Sequence, residues 1–362
     1  MFLYFLYPLK DVFSIFNVFR YITFRAIGAS VTAFLLSLIL FPILINELRK
    51  LSVVNSTNRP HTEKIEGFYA NKKTTPTMGG VLILGSIVFS NVLWGNLQNP
   101  YMLLALLVVT WYGAVGFVDD LIKLRSKSSK GISGRVKLAG QLILGFAIGT
   151  YLYYDPNFSS LLYVPFLKKL QIPLGLLFIP FAVIVLAGSS NALNLTDGMD
   201  GLAIGCTAFS AGALTIFAYL AGRFDFAEYL GIPYSSLGGE LTVFSASLVG
   251  AAVGFLWYNS YPATIMMGDT GSLSLGGALG IVAILIKQEL VLLIVGGIFV
   301  WEAVSVMIQV ASFKFFKKRV FLMSPFHHHL QLKGWPETKV TIRLWIIAFI
   351  LALIGLGTIK LR

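Results

Sequence analysis

Residues 101–120 read YMLLALLVVTWYGAVGFVDD, an apolar run without a charge until it meets two adjacent aspartates. A bilayer core of about 30 Å takes roughly 20 apolar residues as helix, so 101–119 has the length of a membrane span. Strict apolar–polar alternation, the mark of a barrel strand, is absent, and continuous runs such as Tyr101–Thr110 fit helices. Working outward in both directions, nine further runs of this kind occur: 26–48, 78–96, 137–154, 176–192, 201–221, 240–258, 272–287, 289–313 and 340–359. The expected fold class is all-α, a polytopic membrane protein of about ten transmembrane helices.

Composition agrees. Of 362 residues, 56% are hydrophobic and only 12% charged, about half the charge of an ordinary soluble domain. Mean hydropathy is +0.79. These figures exclude a soluble enzyme, a disordered chain, a collagen-like repeat and a coiled coil. The single cysteine, Cys206, excludes an intramolecular disulfide and a thiolate metal cluster. No internal repeat or soluble domain stands out, so residues 1–362 are read as one integral membrane domain. Met1–Leu9 is too short to cross and is followed by Lys10 and Asp11. An interfacial segment with aromatics at headgroup level is expected there, and turn-rich connectors at 155–175 and 222–239.

Ten spans place both termini on one side and five loops on the other: 49–77, 119–137, 193–200, 259–271 and 314–339. Three of these loops carry eighteen of the 28 cations, six in each. The positive-inside bias makes the five loops cytoplasmic and the termini extracytoplasmic. The other two, 193–200 and 259–271, hold no Lys or Arg, yet carry Asp197, Asp200 and Asp269. Asp119-Asp120 opens another. Carboxylates at membrane helix ends are costly unless they meet water, cations or a metal.

Each motif has a plain reading beside a chemical one. Asn191-Ala-Leu-Asn-Leu-Thr-Asp-Gly-Met-Asp-Gly201 contains good cap and turn residues, and its paired Asp-Gly steps also suit a polar binding loop. In Met267-Gly-Asp-Thr-Gly-Ser272, Asp269 could cap a helix, or face a hard cation while backbone amides face an anion. Asp119 and Asp120 point about 100° apart on a helix, so one could ligate metal while the other faces substrate. Lys72 and Lys73, leading into Thr74-Thr-Pro-Thr-Met-Gly-Gly80, suit phosphate but also satisfy topology alone. Pro325-Phe-His-His-His-Leu330 holds three of the four histidines; hydrogen bonding to a polyanion suits them better than zinc. Glu302, inside the ninth span, reads equally as a functional group or as a buried hydrogen-bond partner. It would be the coupling site in a rival reading, an ion-coupled transporter, but transporters place such groups near the midplane and show repeats.

Together, Thr75-Pro-Thr-Met-Gly-Gly, Phe117-Val-Asp-Asp, the Asn191–Gly201 loop, Met267-Gly-Asp-Thr-Gly-Ser and the triple-histidine segment resemble the phospho-N-acetylmuramoyl-pentapeptide transferases. These are a branch of the polyprenyl-phosphate N-acetylhexosamine-1-phosphate transferases. The likeness runs from about residue 18 to the C-terminus, one motif per inner loop. It implies a multi-pass enzyme of the bacterial inner membrane, often a homodimer, with its active site facing the cytoplasm and no nucleic-acid partner. It implies transfer of phospho-N-acetylmuramoyl-pentapeptide from UDP to undecaprenyl phosphate, giving lipid I and UMP, with Mg²⁺ required. By motif position Asp269 would be the metal ligand, and Asp119 and Asp120 would attend the lipid phosphate and metal. Lys72, Thr77, Asn194, Asp197, Asp200, Asn259, His327 and His328 would line the nucleotide-sugar site, with Lys137 close by. The family usually has an aromatic at the position of Met266, where uracil would pack. A relative that takes a UDP-N-acetylhexosamine donor is the near alternative.

Overall fold

The computed structural model describes residues 1–50, 75–126, 131–167 and 170–360. Ten helices carry the fold among them: α1 (Ile22–Lys50), α2 (Gly80–Trp94), α3 (Pro100–Arg125), α4 (Gly134–Tyr154), α5 (Phe178–Thr196), α6 (Leu202–Ala221), α7 (Leu241–Asn259), α8 (Gly268–Leu285), α9 (Gly297–Phe316) and α10 (Glu337–Gly357). Nine of these are long and apolar enough to cross a membrane; α2, at 15 residues, is shorter. An α-helical polytopic bundle is therefore observed, with one of the ten expected spans short as a helix. The expected span 289–313 is two helices, a short Glu289–Val295 and then α9, with Gly296 between them.

The helix starts have local causes. Asn99 accepts from the backbone N–H of Tyr101 (2.9 Å) and Met102 (3.2 Å), and Pro100 takes the first helical position, where no N–H is needed. Ser133 does the same for α4 through Val136 N–H. The all-α fold class is observed, with one small addition. The connector between α4 and α5 holds a two-stranded antiparallel ribbon, β1 (Leu161–Tyr163) with β2 (Gln171–Pro173), Leu162 facing Ile172. Its β-branched and aromatic residues are too few to register as strands beside the surrounding prolines. At the N-terminus, short helical turns from Phe2 to Arg20 fold back on the end of α2. Tyr4 donates to Asn96, and the Phe2 ring meets the Trp94 ring edge-on.

α8 is the central pillar. Its apolar stretch is 89% buried, against 22–33% for α1, α4, α9 and α10. A membrane helix can be closed in on every side only where backbones come close, which small residues permit. At Gly116 of α3 an added Cβ would lie 2.2 Å from the Asp269 carbonyl oxygen, so only glycine lets α3 cross the start of α8 there. That crossing decides where the acidic residues meet.

Candidate active site

Helix boundaries move the acidic residues relative to the expected spans. α3 runs on to Arg125, so Asp119 and Asp120 lie within the helix, between one and two turns before its end. α8 begins at Gly268, which places Asp269 in its first turn. Because α3 and α8 touch at Gly116, these two carboxylate sources face each other.

Asp119 and Asp120 do different things, as their angular separation allows. Asp120, 4% exposed, caps α8: its carboxylate accepts the Asp269 N–H at 3.1 Å, the Thr270 N–H at 2.9 Å and the Thr270 hydroxyl at 2.7 Å. Those are among the N–H groups a helix start leaves without intrahelical partners. Asp119, 1% exposed, accepts the Ile132 N–H at 2.9 Å through Oδ1. Its Oδ2 pairs with Lys123 and, at 3.3 Å, with Lys137. Asp269 Oδ2 takes the same two ammonium groups, Lys123 at 3.0 Å and Lys137 closer still. Asp269 Oδ1 accepts from Asn194 Nδ2 at 3.1 Å, and that amide also reaches the Ser272 hydroxyl at 2.7 Å. Two lysines are thus shared between two carboxylates, with a third carboxylate alongside.

Each of Asp119, Asp120 and Asp269 offers one oxygen within 4.8 Å of the others. Beyond its ion pairs, the buried Asp119 Oδ2 makes no hydrogen bond of normal geometry. Three hard anionic oxygens this close together fit a hard divalent cation that keeps several waters. The residues that could hold it come from two helices and need no loop to close.

The remaining expected residues surround this centre in different ways. Lys137 stands in the first turn of α4 and belongs to the charge cluster. Asn194, near the end of α5, joins it through Asp269. Asp197 follows at the C-cap of α5, half-buried, opening the turn that ends at Gly201 in the left-handed region, φ +71°. Asp200 is buried, and its Oδ2 accepts the Ala263 N–H at 3.0 Å. Asn259, also buried, accepts the Gly201 N–H at 3.0 Å and donates to the Ile265 carbonyl at 2.8 Å. Both side chains tie the 197–201 turn to the 259–267 turn. Thr77 is half-buried on an extended strip that pairs with residues 266–267: Met266 N–H donates to the Pro76 carbonyl, and Gly79 N–H to the Met266 carbonyl. This keeps Thr77 beside Met266. Lys72 lies outside the described residues.

The histidines form a third wall. His327 and His328 sit on a short helix, Phe326–Leu332, both buried, with ring centroids 4.1 Å apart. A Cβ at Gly198 would lie 2.3 Å from His327 Nε2, so glycine there lets the ring rest against the Asp197 turn. Glu302, fully buried, brings Oε2 to 3.2 Å from His327 Nδ1 and accepts the His327 N–H at 3.3 Å. The intramembrane carboxylate therefore serves the histidine segment, at the same end of the bundle as the aspartates. His328 Nδ1 lies 2.8 Å from Gln331 Oε1.

Lys123 was read in the sequence only as one more cation of an inner loop. The signal that marks it is its position four residues after Asp119, which matters only if the helix continues past Asp120. Thr270 and Ser272 were quoted in their motif without a role.

Two comparisons bear on this arrangement. A model for glycosyl transferase family 4 matches residues 102–287, and a phospho-N-acetylmuramoyl-pentapeptide-transferase signature matches residues 72–84. Three curated relatives carry the name phospho-N-acetylmuramoyl-pentapeptide-transferase. Those of Citrifermentans bemidjiense and Geobacter sp. strain M21 are 50% and 51% identical over 357 residues, covering 99% of each chain. That of Desulfotalea psychrophila is 50% identical over 363 residues, covering both chains completely. With identity at this level from end to end, and the motif residues gathered at one end of the bundle, the chain belongs to the phospho-N-acetylmuramoyl-pentapeptide-transferase family.

Proposed function

We propose that the protein transfers phospho-N-acetylmuramoyl-pentapeptide from its UDP conjugate to undecaprenyl phosphate, releasing UMP and forming lipid I. The reaction takes place at the cytoplasmic face of a bacterial inner membrane, with Mg²⁺ as cofactor. The observation that carries this reading is the meeting of Asp119, Asp120 and Asp269 with Lys123 and Lys137 at one end of an apolar bundle. A lipid-borne phosphate can reach only a site at a span end, and that end is the one to which positive-inside loops assign the cytoplasm.

In the transfer, an oxygen of the lipid phosphate bonds to the phosphorus that carries the sugar, and the bond from that phosphorus to UMP breaks. When bound, Mg²⁺ supplies Lewis-acid stabilisation of charge on the diphosphate. Asp269, with Asp119 and Asp120, would hold it. Lys123 and Lys137 are placed to pair with phosphate oxygens and offset repulsion between acceptor and donor. The second pKa of a phosphate monoester is about 6, so the acceptor is largely a dianion at neutral pH and needs little help from a base. Asp119, fixed by the Ile132 N–H, acts as a positioner or modest base and not as a covalent nucleophile.

On the donor side we assign Lys72, Thr77, Asn194, Asp197, His327 and His328 to the nucleotide-sugar. Asp200 and Asn259 belong there through the turns they hold. For the acceptor's isoprenoid chain, an apolar cavity of about 300 Å³ lies between α5 and the broken helix pair, lined by Phe181, Val185, Ala192, Leu279, Phe299 and Met307. Purified protein with Mg²⁺ and undecaprenyl phosphate should release UMP from the UDP-muramoyl-pentapeptide and not from a UDP-N-acetylhexosamine. Turnover with the hexosamine donor alone would overturn the proposal.

A further inference from the structure

α10 reads as a plain membrane span, yet its first nine residues include three polar groups on one stripe. Glu337, Thr341 and Trp345 are spaced four apart, so their side chains stack along a single face. All three bond to two consecutive residues of the Asp197–Gly201 turn. Glu337 Oε1 accepts the Asp200 N–H at 2.8 Å, Thr341 Oγ1 donates to the Asp200 carbonyl at 3.3 Å, and Trp345 Nε1 donates to the Gly201 carbonyl at 3.1 Å. Glu337 and Thr341 are buried. The indole sits in a notch left by Gly205, where a Cβ would come within 2.2 Å of Nε1.

The opposite side of the same turn is held by Asn259, on the Gly201 N–H, and by the Ala263 N–H, on the Asp200 carboxylate. The N–H and carbonyl groups of both Asp200 and Gly201 are therefore all occupied, three of the four by α10. Packing of an apolar helix needs no such bonds, and burying a carboxylate to make one is unfavourable unless it accepts well-aligned donors. The bonds run to peptide groups, not to the aspartate cluster, so what they control is the path of the backbone just after Asp197.

We propose that Glu337, Thr341 and Trp345 are positioning residues of the transferase reaction: from α10 they fix the turn that presents Asp197, and Gly198 with the His327 ring against it, to the nucleotide-sugar donor. This rests on the assignment of Asp197 to the donor side. Loosening the stripe should cost donor use and spare the lipid acceptor, whose phosphate meets the α3–α8 crossing.

The test uses the full-length protein in detergent, with E337A, E337Q, T341V, W345F and D197A measured side by side. Initial rates are taken against donor at saturating lipid phosphate, and against lipid phosphate at saturating donor, with thermal unfolding recorded for each variant. E337A and W345F should lower kcat/KM for donor by about tenfold, with KM for the lipid phosphate unchanged. E337Q should recover most of the loss, because its amide oxygen still accepts the Asp200 N–H. Donor kcat/KM unchanged in folded E337A and W345F, or donor and acceptor parameters falling together with the folded fraction, would overturn the proposal. Should E337A fail to fold, T341V and W345F decide. D197A separates the two layers: unchanged donor kcat/KM in D197A removes the donor assignment itself, whereas loss in D197A without loss in the α10 variants removes only the positioning role.

Discussion

The molecule buries opposite charges in two places and uses them differently. Away from the candidate active site, Arg25 and Glu240 form a bidentate pair, and Glu240 also accepts the Asn96 N–H while Arg25 donates to the Trp94 carbonyl. Elsewhere, Lys287 pairs with Glu289 at 2.8 Å and lies over the Phe158 and Phe178 rings. In both, one cation meets one anion and the remaining contacts close around them. At the α3–α8 crossing, two carboxylates share two ammonium groups with a third carboxylate alongside, and neither lysine belongs to a single partner. Burial of charge therefore does not by itself mark a site. A local excess of anion, held in place by neighbouring backbone, does.

That contrast can be broken or sharpened by experiment. The largest effect is expected at the excess itself. Asp269→Asn should lower turnover by more than about a hundredfold and remove the dependence on Mg²⁺, with the unfolding temperature little changed. Near-normal turnover at limiting Mg²⁺ would take Asp269 out of the metal site. Next, Glu240→Gln leaves Arg25 buried without its counter-charge and should cost about 3 kcal/mol of stability, while kcat per folded molecule stays at the parent value. A fall in kcat with unchanged stability would mean the Arg25–Glu240 pair is not merely structural.

A smaller loss, about tenfold in kcat, is expected for Lys137→Ala, since Lys123 still serves both carboxylates. Measured across ionic strength, its defect should persist, because a half-buried pair is poorly screened. Smallest is Asp120→Asn, which keeps an oxygen for the α8 start and should cost about 1 kcal/mol of stability, with a rise in the Mg²⁺ needed for half-maximal rate. An unchanged Mg²⁺ requirement would confine Asp120 to capping.

Much of this was legible in the sequence, for physical reasons. Apolar runs near 20 residues have few structural outcomes, so the bundle followed from runs such as 101–119. The corners rich in Asp, Asn and Gly stood out because such residues are expensive beside lipid. What stayed hidden were features that depend on where helices end. Lys123 looks like any positive-inside lysine until α3 is seen to continue to Arg125, and Asp120 cannot be told from Asp119 until α8 is seen to begin beneath it. The Gly296 break is invisible within a run whose apolar character never lapses. The α10 stripe is hidden for a related cause: Glu337 lies before the apolar stretch, and Trp345 falls inside the run 340–359 as one more apolar residue.

The enclosure of α8 has a further consequence. A bilayer that is too thin or too thick acts on helices that touch it, by tilting or bending them. Asp269 rides on the most enclosed of the described spanning helices, so such deformation falls on the peripheral helices first. The catalytic geometry should accordingly tolerate a change of host membrane, and reconstitution in lipids of different chain length should shift access of the lipid substrate more than the chemical step.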